Sequence, residues 1–135
     1  MRFSGLTFLA LLMVLTGCAS MEKSQKTDSL KSESRQFAKA LRWGDYEAAI
    51  IRTRLPEGEK MDVDLDYLKN IRVTKAETSP PLMSDDLMEG EVILYLDYYH
   101  ELRNSVNSMT VKQSWVYDEE QEQWYCETPF PDFKP

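Results

Sequence analysis

The run Asp97-Tyr98-Tyr99-His100 gathers in four consecutive positions the residue types that proton transfer uses: a carboxylate, two phenols and the chain's single histidine. A carboxylate and an imidazole share general acid–base work only if both reach one substrate. The surrounding segment, EVILYLDYYHEL, is rich in strand formers, and successive side chains of a strand point to opposite faces. Asp97 and His100 are therefore expected to diverge unless a bulge lies between them. Tyr98 and His100 share a face and are the candidate lining of a pocket. No paired base or nucleophile stands with them, so no catalytic residue is assigned.

Asp62, Asp64 and Asp66 alternate as the ligands of a calcium loop do, but the glycine and closing glutamate of that pattern are missing. Acids clustered at a helix start are favoured by the helix dipole without any ion, so no metal and no cofactor is assigned. Cys126 follows Trp124 and Tyr125 in a strand-like stretch, where a buried, inert thiol is expected.

The other cysteine, Cys18, ends an apolar run, FSGLTFLALLMVLTG, that follows a single basic residue, Arg2. That is the build of a secretory signal peptide. Its strongly apolar part, Leu6 to Leu15, is about half the roughly 20 residues a membrane span needs. Leu15, Thr16, Gly17 and Cys18 resemble the lipobox of bacterial lipoproteins. The resemblance implies a diacylglyceryl group on the Cys18 thiol, cleavage before Cys18 and acylation of the new amine. Ala19 and Ser20 stand where that family places an inner-membrane retention aspartate, which implies the outer membrane of a two-membrane cell, with the domain facing the periplasm.

The formal net charge of −7 repels phosphate backbones and anionic headgroups, so neither nucleic acid nor direct headgroup binding is expected. With Cys18 lipidated, Cys126 would have no intramolecular partner, and the fold must rely on its core. Residues 1–17 are expected to be the signal peptide, 18–29 the lipidated cysteine and a flexible polar tether, and 30–135 one domain.

Within the domain, Leu30, Phe37, Ala38 and Leu41 recur at helical spacing, Gly44 can close that helix, and Asp45 can cap a second one, DYEAAIIRTR. DVDLDYLKN is weakly helical, IRVTKAE alternates as a strand, and SPPLMSDD reads as a loop because proline cannot donate ladder hydrogen bonds. A long strand from Glu91 to Leu102, a second in SMTVKQSWVY and a third in WYCET complete an antiparallel meander. The fold class is α+β, with N-terminal helices packed on a curved antiparallel sheet.

That order, with the LRWGDYEAAI junction, YLKNIRVTKAE and the hairpin WVYDEEQEQWYCETPFPDF, resembles the NTF2-like (cystatin-like) superfamily over residues 30–133. The resemblance implies a curved sheet wrapped around its helices, and some members are enzymes that work in the cone between the two.

Both faces of the long strand carry large side chains. Val92, Leu94, Leu96 and Tyr98 are expected to meet the helices, leaving Ile93, Tyr95 and Tyr99 on the other face as a candidate protein contact. Either that face meets a partner, or the loop after the first strand or the PFPDF tail covers it. The function expected is a lipid-anchored, non-catalytic binding or assembly module of the bacterial envelope. It would be held to the membrane through Cys18 and partnered by a second copy or an envelope protein, its small ligand unknown. The alternative is a small hydrolase or isomerase using the cone-shaped pocket.

Overall fold

A computed structural model describes residues 4–135, with side chains from Cys18 onwards. Helix α1 (Ser4–Arg42) is followed by two short helices, α2 (Tyr46–Ile50) and α3 (Leu65–Leu68). Five strands follow: β1 (Ile71–Thr78), β2 (Leu82–Met83), β3 (Glu89–His100), β4 (Val106–Asp118) and β5 (Gln123–Cys126). The architecture is α+β, a long helix on a curled antiparallel sheet of order β1-β3-β4-β5, with β2 also paired to β3.

Gly44, at φ 73°, ends α1 in the left-handed conformation that glycine adopts without a Cβ clash. The Asp45 N–H then donates to the Ala40 carbonyl at 2.9 Å, and the Asp45 carboxylate accepts from the Ala48 N–H at 3.3 Å to start α2. After α2, residues 52–54 run parallel to β5, with Arg54 N–H donating to the Cys126 carbonyl and Cys126 N–H to that of Arg52, both at 2.8 Å. This segment occupies the outer edge of β5.

The β3–β4 register is unbroken from Glu89↔Val116 to Tyr99↔Val106. Along the other side of β3 it steps twice, once between Val73 and Lys75 and once across Ser79–Pro81, so that Thr78 pairs with Leu94 but Leu82 with Glu91. An extra residue on one strand bends it and increases the local twist, and two such steps on one side of β3 curl the sheet toward α1.

The concave side holds the core. Leu30, Phe37 and Leu41 of α1 meet Val92, Leu94 and Leu96 of β3, Trp115 of β4 and Trp124 of β5, all at most 1% exposed. Phe37 meets Trp115 edge-on, with ring centroids 6.0 Å apart. Burying an indole removes roughly 150–250 Å² from water, worth about 4–6 kcal/mol, so the two tryptophans anchor the sheet to the helix.

Four expectations differ from the structure. The expected second helix, DYEAAIIRTR, stops at Ile50, because the backbone of residues 52–54 is drawn into pairing with Cys126. Helix α1 runs through residues 18–29, which were expected as a flexible tether. Few of these residues oppose a helix, and one that is already propagating gains a hydrogen bond for each residue it adds. The expected loop SPPLMSDD contains β2, because Leu82 and Met83 regain the ladder once the prolines are passed. The long strand lies at Glu89–His100 and stops before Leu102, which is 82% exposed.

Candidate functional site

β3 separates the candidate residues as alternation requires. No register step divides Asp97 from Tyr99 along β4, and the Asp97 carboxylate on the open face accepts from Ser108 Oγ at 2.7 Å. Tyr98 and His100 lie on the other side, at the end of the concave face. The Tyr98 ring meets Phe133 edge-on at 4.9 Å, and burial, with the nearby Asp132 carboxylate adding to it, pushes its phenol above the ordinary value. His100 packs on the Tyr67 ring at 5.3 Å, and its Nδ1 accepts the Leu102 N–H at 3.1 Å, which places the neutral ring's proton on Nε2. The structure thus brings Tyr98 and His100 to one end of the concave side and keeps Asp97 apart.

The space a cone-shaped pocket would use is filled. Phe130 and Phe133 of the C-terminal tail turn inward, contacting Phe37, Tyr46 and Tyr98 through their rings, while Gln113 accepts a hydrogen bond from Trp115 Nε1 at 3.3 Å inside the core. Tyr46, also raised by burial, donates its hydroxyl to the Ile71 carbonyl at 3.2 Å. The tail therefore closes the concave side and leaves the open face of the sheet uncovered.

Two of the three alternating acids, Asp64 and Asp66, serve local tasks. Asp64 caps α3 by accepting the Tyr67 N–H at 3.0 Å, and Asp66 pairs with Lys69 at 2.7 Å. Among the described residues, no three His, Cys, Asp or Glu side chains converge on a point that could hold a metal ion. Cys126 is buried, and burial pushes its thiol up to about 11.

On the open face, Tyr95 is 42% exposed while Ile93 and Tyr99 are half-buried. Their cross-strand neighbours are Lys112, Thr110 and Val106 on β4, with Glu77 and Arg72 opposite Tyr95 and Tyr99 on β1. The apolar surface is thus a stripe one strand wide within a mainly polar frame.

Cys18 is exposed, on α1. Residues 4–17 of the expected signal peptide are described only as backbone of α1, and the side chains of residues 1–17, those of Leu15 and Thr16 included, lie outside the described residues. Among the described residues no helix is long and apolar enough to cross a membrane. Residues 18–25 of α1 are exposed throughout, and side-chain contact with the sheet begins at Lys26, whose ammonium sits 3.1 Å from the Tyr117 ring centroid.

One group of residues is absent from the sequence reading. Arg35, Lys39 and Arg42 form an exposed stripe on α1 beside β1, and with Ala38, Trp43, Ala76, Glu77 and Thr78 they line a groove of about 530 Å³. The signal for it is the spacing of three cations at i, i+4 and i+7 on the side of α1 away from its apolar residues. Comparison with protein-family models and with curated proteins finds no match to this chain.

Proposed function

We propose that this protein is a lipid-anchored, non-catalytic binding or assembly module of the bacterial envelope, with an NTF2-like (cystatin-like) domain. The observation that carries the reading is the filled concave side: the space in which an enzyme of such a fold would hold substrate contains Phe37, Trp115, Trp124, Phe130 and Phe133. Cys18, followed by an exposed helical stretch, suits attachment to a lipid with the domain held off the membrane. At the helical rise of about 1.5 Å per residue, Cys18 to Lys26 spans about 12 Å. Ala19 and Ser20 direct the anchored protein to the outer membrane, facing the periplasm. The stripe of Ile93, Tyr95 and Tyr99 is the contact surface, most simply for a second copy across a twofold axis.

Labelled palmitate should enter the full-length protein in a bacterial host and fail to enter Cys18→Ala, which should also escape cleavage; labelling of both would refute the anchor. In sedimentation, the detergent-solubilised protein should self-associate and Tyr95→Glu should not. A wild-type protein that stays monomeric at high concentration would refute the twofold contact.

A further inference from the structure

The order of the sheet leaves β1 as an edge strand, with β3 on one side and no strand on the other. An uncovered edge is a template for another chain, and proteins ordinarily blunt it. Here the first half is blunted by side chains. Tyr46 Oη donates to the Ile71 carbonyl at 3.2 Å, and Arg42 Nη1 donates to the Val73 carbonyl at 3.1 Å. Beyond the step at Thr74 the edge is bare. Ser79 N–H donates to the Ile93 carbonyl at 2.9 Å, so Ser79 faces β3. Alternation then turns Glu77 and Lys75 to β3, and the N–H and C=O of Ala76 and Thr78 to the free edge.

That bare stretch is the floor of the 530 Å³ groove whose wall is α1. The wall is cationic: Arg35 and Lys39 have no carboxylate partner among the described residues, and Arg42 lies 4.9 Å from the Trp43 ring, which is itself exposed. The one acid lining the groove, Glu77, pairs with Lys75 at 3.6 Å. A chain with a net charge of −7 that gathers three cations beside a bare strand edge has built a local exception to its own field.

We infer that the groove between β1 and α1 binds an extended acidic peptide segment of a partner protein, which adds to the sheet as a strand beside Ala76 and Thr78 while its carboxylates meet Arg35, Lys39 and Arg42. Main-chain hydrogen bonds supply affinity in this mode, and the flanking wall selects the guest. The exposed Trp43 ring offers an apolar or aromatic guest residue a surface at one end of the groove. The inference requires neither the lipid on Cys18 nor the contact at Tyr95.

The test uses the full-length protein in nonionic detergent and a fluorescein-labelled eight-residue peptide of alternating Glu and Val, read by fluorescence anisotropy. The expected result is saturable binding that weakens as salt rises, slowed amide exchange at Ala76 and Thr78, and no binding of the matching Lys-Val peptide. Arg35→Glu combined with Lys39→Glu should weaken binding by about tenfold or more, a loss of about 1.4 kcal/mol. Tyr95→Ser, which brings no charge to the strand beside Glu77, should leave it unchanged, which separates this site from the open-face contact. Ala76→Pro removes a donor aimed at the guest and should abolish the amide protection. Should that variant fail to fold, a Glu-Val peptide N-methylated at alternate residues gives the same information, because it keeps the charge and loses the ladder. No saturable binding, undiminished binding by the charge-reversal variant, or equal binding of the N-methylated peptide would each overturn the inference. The last would show a simple electrostatic surface.

Discussion

Leu30 and Gly90 are locked against each other: Leu30 Cδ2 occupies the space that a Cβ on Gly90 would need, so the helix approaches the sheet here only because β3 carries a glycine. Leu30 is fully buried and has little room to give way. Gly90→Ala should therefore destabilise the protein by about 1–3 kcal/mol through overpacking. Leu30→Ala opens the same space, so the double variant should be more stable than the two single losses added together. Chemical denaturation of the four proteins measures this, and strict additivity would mean that the contact is unimportant.

The Cys126 thiol should be inert in the folded protein. Burial raises it to about 11 from an ordinary 9.0, so the folded state holds this proton more tightly than the unfolded chain. Stability from this group is complete below pH 9 and declines as pH rises toward 11, by on the order of 2–3 kcal/mol in all. Reaction with a disulfide reagent at pH 8 should be fast for Cys126 only after denaturation. In Cys126→Ala the fall in stability between pH 9 and 11 should be smaller.

Phe133→Ala should cost about 3–5 kcal/mol by removing the aromatic plug from the end of the concave side. It should also let the Tyr98 phenol ionise at lower pH, because burial is the main cause of its raised value. Ultraviolet titration of the variant against the parent, each compared with its own Tyr98→Phe control, checks the direction. An unchanged titration would mean that the tail does not shield Tyr98.

Lys26→Ala should loosen the N-terminal part of α1 without unfolding the domain. The ammonium over the Tyr117 ring is worth about 0.5–1 kcal/mol at a partly exposed site. Amide exchange in residues 19–29 should quicken several-fold while exchange in β3 and β4 stays unchanged.

The alternation of β3 and β4 was legible because each has one face in the core and one outside: Val92, Leu94 and Leu96, then Gln113 and Trp115, all point inward as their positions predict. The Gly44-Asp45 junction was equally plain, since its chemistry is local. Residues 18–29 were not, because they carry no apolar period and their helix is inherited from its neighbours along the chain. Nothing at Thr74 announces a register step, and Pro80-Pro81 hides the strand that resumes at Leu82. Of the candidate site, the separation of Asp97 from His100 followed from parity alone. The inward turn of Phe130 and Phe133 depends on a tail without periodicity, and the basic groove on which edge of the sheet is left open. Both are tertiary facts.

The two register steps that curl the sheet also set a limit on growth. The bare edge of β1 runs only from Lys75 to Thr78; before it the edge is taken by Tyr46 and Arg42, and after it come two residues without an N–H. Fibril formation through stacked edges needs long, flat, uninterrupted strands. A guest here runs out of ladder after about four residues at the usual strand rise of about 3.3 Å each. Copies of this protein crowded side by side can therefore offer that edge to a short visitor without polymerising through it.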